Sequence, residues 1–525
     1  AATPLGETMP QMLRPPTVGP NVGHTTEPRV RHRIRAADVP ELRTVGVAAL
    51  YEWGRSAPKE VRYFRLHREY DRTGTVDFEG LEPDTRYTAR LGSVTVDSLD
   101  SDLIVEDDEI FERLPKDLRV WKEDLLRLNP EVSEATFTTH PSAAKGGFSF
   151  LMGSCRYPGL MGQSKRSDEI FQAMYRHVEL SRNEAALPPR FVLMMGDQIY
   201  ADKLNRSIPM GRADTWREFQ ERYVEAFTTP YIRQLMRSVP TYMILDDHEI
   251  EDNWVQSRLK DALKRDLFHN AIRAYMSYQW VHGPRNFDKR IHYSFDYAQV
   301  PFFVLDGRTQ RIRDDADGSL CGNHLLGYPA KESAPGFKGQ LDQFCDWLVE
   351  MQARRGNVPK FVVSPGVFAP NDVSARGEGG GSSDSWPAFP ETRRRVLRTI
   401  VDNGVQNVVF LSGDVHCSNV SEISFEKRLG KLPLKAFSIV SSAFYWPFPF
   451  ADGDPLGFVH DSQAEGDGFD IDGTVTMHYR TRGFEQDDNF TQVTYDLARN
   501  ALVVQNYNRK GMALKGPNEL MLAAR

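Results

Sequence analysis

Between residues 30 and 139 apolar and polar positions alternate over short runs, 44–51, 61–66 and 75–78, separated by turn-forming residues. Tyr87, Ala89 and Leu91 continue this two-residue period just after the turn chemistry of Pro83-Asp84, as strands with one buried face do. The stretch predicts a small β-sandwich, with the acidic piece 97–108 as a solvated loop and 122–128 as a short helical insertion. After His140 and the loop 141–147 the pattern changes. Apolar runs of four or five residues now alternate with long stretches of 3.6-residue period, the signature of an α/β fold. Ile170, Phe171, Met174, Tyr175 and Val178 share one helical face behind the cap candidate Ser167. Phe219, Tyr223, Phe227 and Tyr231 form a second face, and Leu263, Leu267, Phe268, Tyr275 and Met276 a third. A further helix is expected over 339–352, where Leu341, Phe344, Cys345 and Leu348 share a face and Cys345 is a packed thiol. There is no internal repeat, and the Gly-rich piece 376–384 reads as a flexible loop.

Composition narrows the function classes. The chain has 525 residues, 65 Lys plus Arg against 72 Asp plus Glu, and a net charge of −7. It therefore has no basic field to track a nucleic-acid backbone, and no stable nucleic-acid complex is expected. No apolar run approaches the roughly 20 residues that span a bilayer; runs such as 191–195 and 408–411 have strand length. Cys155, Cys321, Cys345 and Cys417 are too scattered for a disulfide framework and form no CxxC pair. Ala1 opens on neither a basic stretch nor an apolar run, a start that fits a mature exported chain or a trimmed one equally. The oligomeric state is left open.

Four apolar runs end in residue types that bind metals: FSFLMGSC at Cys155, FVLMMGDQIY at Asp197 and Tyr200, TYMILDDHE at 246–249, and VVFLSGDVHC at Asp414 and His416. In α/β sheets ligands bind beyond the carboxyl ends of the strands. One Gly-Asp after a strand is often a turn with a side-chain cap, but carboxylates gathered on one sheet edge repel unless a cation compensates them. The pattern predicts a metal site.

GDQIYAD, LDDHEIEDNW, LDGRTQR, DSWPAFPETRRRVL and LSGDVHCSN, in this order, resemble the alkaline phosphatase D (PhoD-like) family of calcineurin-like metallophosphoesterases. The resemblance covers roughly residues 15 to 510 and includes PTVGPNVGHTTE near the N-terminus. It implies a four-layer α-β-β-α core over 141–525, an N-terminal β-sandwich over 1–140, and a secreted or periplasmic enzyme. It also implies a dinuclear centre, with Fe(III) and Ca(II) as the family's metals, hydrolysing phosphate mono- or diesters of a small molecule or polymer through an activated hydroxide.

The residue chemistry agrees with that reading. Asp197 has two oxygens with which to bridge two cations, and Tyr200 lies three residues further on. Cys155, His416 and Tyr200 would supply thiolate, imidazole and phenolate, a set suited to iron. Taken singly, the same residues read as a strand Cys, a core Tyr and a loop His. Asp247, Asp414 and the shared Asp197 offer oxygens, which suit Ca(II), Mg(II) or Mn(II), with Zn(II) also possible at the second position. Where the family usually has an Asn, this chain has Asp252 followed by Asn253, and both are candidates for that ligand. His248 is the candidate general acid for the leaving alkoxide, or else it only orients Asp247. Arg308 has the fork to bind a phosphate oxygen, or pairs with Asp306. Trp386 and Phe389 would wall the cleft or pack inside. The rival from another class is a non-catalytic protein that binds a surface polymer and carries a degenerate phosphoesterase core.

Overall fold

The computed structural model describes residues 13–39, 43–96, 111, 114, 125–159, 164–184, 187–202, 211–287, 289–314, 318–329, 338–373, 384–448 and 455–525. The acidic loop 97–108, the start of the insertion at 122–124 and the Gly-rich residues 376–383 lie outside them. The fold is mixed α/β, in two compact units.

The first unit comprises 1–142 with 216–242 and 273–283. Its strands are β1 (Val18–Thr25), β2 (Val30–Arg35), β3 (Arg43–Glu52), β4 (Glu60–Arg65), β5 (Thr73–Phe78), β6 (Arg86–Val96) and β7 (Glu134–Thr138). They form a three-stranded sheet in the order β1-β2-β5 and a four-stranded sheet in the order β4-β3-β6-β7. One apolar cluster draws on both sheets, with Val22, Ile34 and Phe78 from the first and Leu50, Phe64, Leu91 and Phe137 from the second. β1 begins upstream of the segment where alternation is legible, because VGPNVGHT is written largely in turn-forming residues. Its Gly23 is required: a Cβ there would fall 2.2 Å from the carbonyl oxygen of His282. The stripe from Phe219 to Tyr231 is split into helices Trp216–Phe227 and Pro230–Met236. Pro230 lacks an N–H to continue the first helix and opens the second at its N1 position.

The second unit comprises 143–215, 243–272 and 284–525. Its further strands are β8 (Gly147–Gly153), β9 (Pro189–Met195), β10 (Thr241–Ile244), β11 (Tyr293–Tyr297), β12 (Val300–Val304), β13 (Lys360–Val363), β14 (Val408–Ser412), β15 (Ser418–Lys427), β16 (Gly430–Lys431), β17 (Ala436–Val440), β18 (Phe469–Asp470), β19 (Thr476–Glu485), β20 (Asn489–Asp496), β21 (Ala501–Asn508) and β22 (Asn518–Met521). One sheet runs β10-β9-β8-β20-β21-β22 and the other β11-β12-β13-β14-β17-β15-β19-β18, with β16 on β15. β12, β13, β14 and β17 are parallel neighbours and are buried throughout, which is why they read as unbroken apolar runs. Helices Gln340–Arg355 and Pro390–Asp402 make the crossovers between them. Their Leu341, Phe344, Leu348, Val396 and Ile400 join Phe303, Val362 and Phe410 in one core cluster, and Cys345 packs among them. Phe150 of β8 stacks on Phe191 of β9 at 5.1 Å and meets Phe302 and Phe361 of the larger sheet edge-on at 5.5 and 5.3 Å.

Two helical details differ from the expectation. Ser167 is not a cap but lies inside helix Ser164–Glu184, where its hydroxyl donates to the carbonyl of Tyr157 at 2.6 Å. Leu263 is 78% exposed, because it falls in the first turn of helix Ala262–Tyr278, while Leu267 and Tyr275 are buried.

Candidate metal centre

Every strand end singled out in the sequence leads into a turn. β8 is followed by Cys155, β9 by Asp197, β10 by Asp246 and Asp247, and β14 by Asp414 and His416. Four of these residues hold a left-handed backbone, with φ of 59° at Cys155, 55° at Asp197, 71° at Asp414 and 52° at His416. Each such non-glycine residue costs of order 1 kcal/mol or more, and clusters of them mark functional sites.

The turns converge on carboxylates. Ligand atoms of Asp197, Asp246, Asp247 and Asp414 all lie within 4.8 Å of one another, as do those of Asp197, Asp247 and His248. The Cys155 thiol donates to Asp197 Oδ2 at 3.3 Å. The Tyr200 hydroxyl is buried without a partner at hydrogen-bond distance, as is Asp246 Oδ2. The Tyr200 ring stacks on His248 at 4.4 Å and lies near-parallel to Trp446, which stacks on His416 at 4.0 Å. Orphaned oxygens beside crowded carboxylates suit hard, strongly Lewis-acidic cations. The residues present therefore fit a metal centre.

Glu249 assembles this geometry. Its buried carboxylate accepts the main-chain N–H of Asp197 and Asp246 at 3.0 Å each and of Gln198 at 2.9 Å. His248 is held by Asp202, whose Oδ1 and Oδ2 lie 2.8 and 3.0 Å from Nδ1. Nε2 is thus the ring nitrogen left for chemistry. Asp252 and Asn253 take part through their backbones: the N–H of Asp252 donates to Asp202 Oδ2 and that of Asn253 to Asp247 Oδ2, both at 2.8 Å. Asp252, like Cys155 and His416, is not among the groups whose ligand atoms lie within 4.8 Å of one another.

Arg308 differs from the expectation of a side-chain pair with Asp306. Its guanidinium is fully buried, with Nε donating to Asp246 Oδ1 at 2.6 Å and Nη2 paired with Asp384. Asp306 accepts the main-chain N–H of Arg308, at 3.0 Å, along with the N–H and hydroxyl of Thr309. The fork faces the carboxylates that frame the cluster. Trp386 and Phe389 also lie inside, both fully buried. The Trp386 indole N–H donates to Ser364 Oγ at 2.9 Å, and Phe389 lies under Arg311 at 5.0 Å.

Charge crowding sets the protonation states. Burial first, then the charge of Asp247, pushes Asp197 well above the usual carboxylate range. Burial, Asp246 and Asp247 do the same to Asp414. Burial would also raise Asp247, but His248 and Arg308 outweigh it and hold that carboxyl below its ordinary value. His248 is raised well above an ordinary imidazole: burial opposes its charge, and Asp247, Asp202 and Asp197 overcome that. Burial, then Asp197 and Asp414, raises the Cys155 thiol, and burial, then Cys155 and Asp197, raises the Tyr200 phenol. Either would ionise readily only against a cation.

The family model for PhoD-like phosphatase matches residues 163–443. Alkaline phosphatase D of Bacillus subtilis (strain 168) is 27% identical over 235 residues, which is 42% of this chain and 38% of the length of that relative. A solved structure of PhoD superposes with a TM-score of 0.60 at 14% identity, covering 97% of this chain and 93% of that one, a likeness of fold.

Proposed function

Because the chain belongs to the PhoD-like phosphatase family, we propose that it is a metal-dependent phosphohydrolase acting on phosphate monoesters, diesters or both, with two cations held at the Asp197 cluster. The observation that carries this is the convergence of four carboxylates from three strand ends within 4.8 Å, beside a histidine that a second carboxylate orients. When bound, the cations would neutralise phosphoryl charge and acidify a water by several pKa units.

On this reading the protein's own residues divide the work. Asp197 lies centrally, in contact with Cys155 and in both donor clusters, and is the bridging candidate. Cys155, Tyr200 and His416 are read as the Fe(III) side, and Asp247 with Asp414 as the side for Ca(II) or another oxygen-seeking ion. His248 holds a proton that Nε2 would give to the leaving oxygen, while Asp202 retains Nδ1 and stabilises the imidazolium. Arg308 is read as a positioning residue for Asp246 and Asp384. The two large sheets are read as the middle of a four-layer core, the sheets of the first unit as an accessory sandwich, and a secreted or periplasmic setting as the natural one for such an enzyme.

Metal analysis of the purified protein, with turnover of nitrophenyl mono- and diesters, tests the reading. Asp197→Ala should lose activity and both metals together. A wild-type protein with neither bound metal nor turnover would overturn the proposal and favour the polymer-binding alternative.

A further inference from the structure

Arg31, Arg33 and Arg35 alternate along β2, so they project from one face of the three-stranded sheet. The outer two have carboxylates. Arg31 Nε donates to Asp77 Oδ1 at 2.8 Å, and Arg35 Nε donates to Asp71 Oδ2 at 3.0 Å. Arg33, between them, is the most deeply buried and has no acid: its Nη1 and Nη2 have no hydrogen-bond partner. Its Nε donates to His282 Nδ1 at 3.3 Å, and its guanidinium carbon lies 5.5 Å from the centroid of the Tyr278 ring. Asp71 does not serve it, being engaged by Arg35, Arg72, Gln220 and Tyr278.

The neighbouring strands add polarity without charge. In register with Arg33 stand Asn21 on β1 and Thr75 on β5. Asn21 is also buried, and its Nδ2 has no partner. Directly paired residues of antiparallel strands lie on the same face, close enough for their side chains to meet. Two guanidinium nitrogens and, on the residue paired with it, an amide nitrogen are therefore buried donors without an acceptor. Burial lowers the Arg33 pKa only to about 10, so the charge persists at neutral pH. Buried charges persist when they are paired, and this one has no carboxylate partner among the described residues, with both Nη atoms unpaired.

We propose that the first unit binds a single small monovalent anion, of halide size, between the Arg33 Nη atoms and the Asn21 amide. One negative charge matches the one guanidinium of this β2 row that lacks a counter-charge. Arg33 at 0% and Asn21 at 2% exposure leave no open mouth for a phosphate ester. The anion completes the charge row of β2 and ties stability of this unit to halide, separately from the chemistry proposed for the second unit.

Thermal unfolding of the full chain in sodium chloride and in sodium gluconate at equal ionic strength tests this. In chloride the unfolding midpoint should rise by about 4 °C for each tenfold increase above the dissociation constant, and in gluconate it should not. Asn21→Ala should move the chloride requirement about tenfold higher, and Arg33→Met should abolish the dependence. Should Arg33→Met fail to fold, crystals soaked in bromide decide, because an anomalous peak is expected within hydrogen-bond distance of Arg33 Nη1 and Nη2. Equal midpoints in chloride and gluconate, or a bromide-soaked crystal with only water at that position, would overturn the proposal.

Discussion

Glu249 accepts the N–H groups of Asp197, Gln198 and Asp246 and so ties the turn after β9 to the turn after β10. Glu249→Ala leaves three buried donors unsatisfied, each worth about 1–3 kcal/mol. Denaturant unfolding should show a loss of about 3 kcal/mol or more, with metal content falling too, while Glu249→Gln keeps one acceptor oxygen and should lose about half as much. A fully metallated Ala variant of native stability would refute the clamp. For His248 the discriminating variable is the leaving group, since nitrophenolate departs without a proton and an alkoxide does not. His248→Asn should therefore lose far more turnover on alkyl esters than on nitrophenyl esters, with metal content near normal. Equal losses accompanied by metal depletion would mean that His248 only holds Asp247. At this scale Asp197, Asp247 and Asp414 are legible in the sequence because a strand end announces them. Asp202 and Asp384 are not, nor are the partners that Asp246 and Glu249 take, since these depend on which N–H or guanidinium the fold carries to them.

The turn that follows β17 shows how an element outside the acidic cluster shapes it. Trp446 is fixed at both ends, its main-chain N–H donating to Asp488 Oδ1 at 3.1 Å and its indole N–H to the carbonyl of Phe448 at 2.9 Å, and so it presents a rigid face to His416. Burial pushes Asp488 up to about 6, against the lowering effect of the Trp446 N–H. Between about pH 4 and 6 the folded chain thus binds more protons here than the unfolded chain, so stability falls as pH rises through that window and the penalty is complete above it. Asp488→Asn retains the acceptor and removes the charge. It should be more stable than the parent by about 1–2 kcal/mol at pH 8, after allowance for solvent screening, with the gap closing near pH 4. A gap that is the same at both pH values would show that the carboxylate's charge is not responsible. Element types were readable where one pattern dominates, as in β9, β14 and helix Gln340–Arg355. They were not where turn-forming residues enter a strand, as in β1, or where a proline divides an apolar stripe, as at Pro230.

A division at residue 140 treats a domain as one continuous stretch, and no local pattern reveals that 216–242 and 273–283 group with the N-terminal stretch. The contacts that join them are specific. Arg233 donates to the carbonyls of Pro16 and Gly19 at 2.9 Å each, Tyr242 meets His24 at 3.1 Å, and Tyr278 donates to Asp71. A chain lacking residues 1–142 should accordingly leave the buried Phe219, Tyr223 and Tyr278 uncovered and be recovered as aggregate. A soluble, monodisperse product in size-exclusion chromatography would contradict this.

The left-handed backbone at Cys155, Asp197, Asp414 and His416 sets metal binding and foldability at odds. Asp414 holds a conformation, at φ 71°, that glycine adopts freely, and its carboxyl is crowded by those of Asp246 and Asp247. Asp414→Gly should therefore give a metal-poor protein that withstands roughly 1 kcal/mol more denaturing free energy than the metal-stripped parent. Selection for thermal robustness alone, with no demand for turnover, would drift towards glycine at such positions.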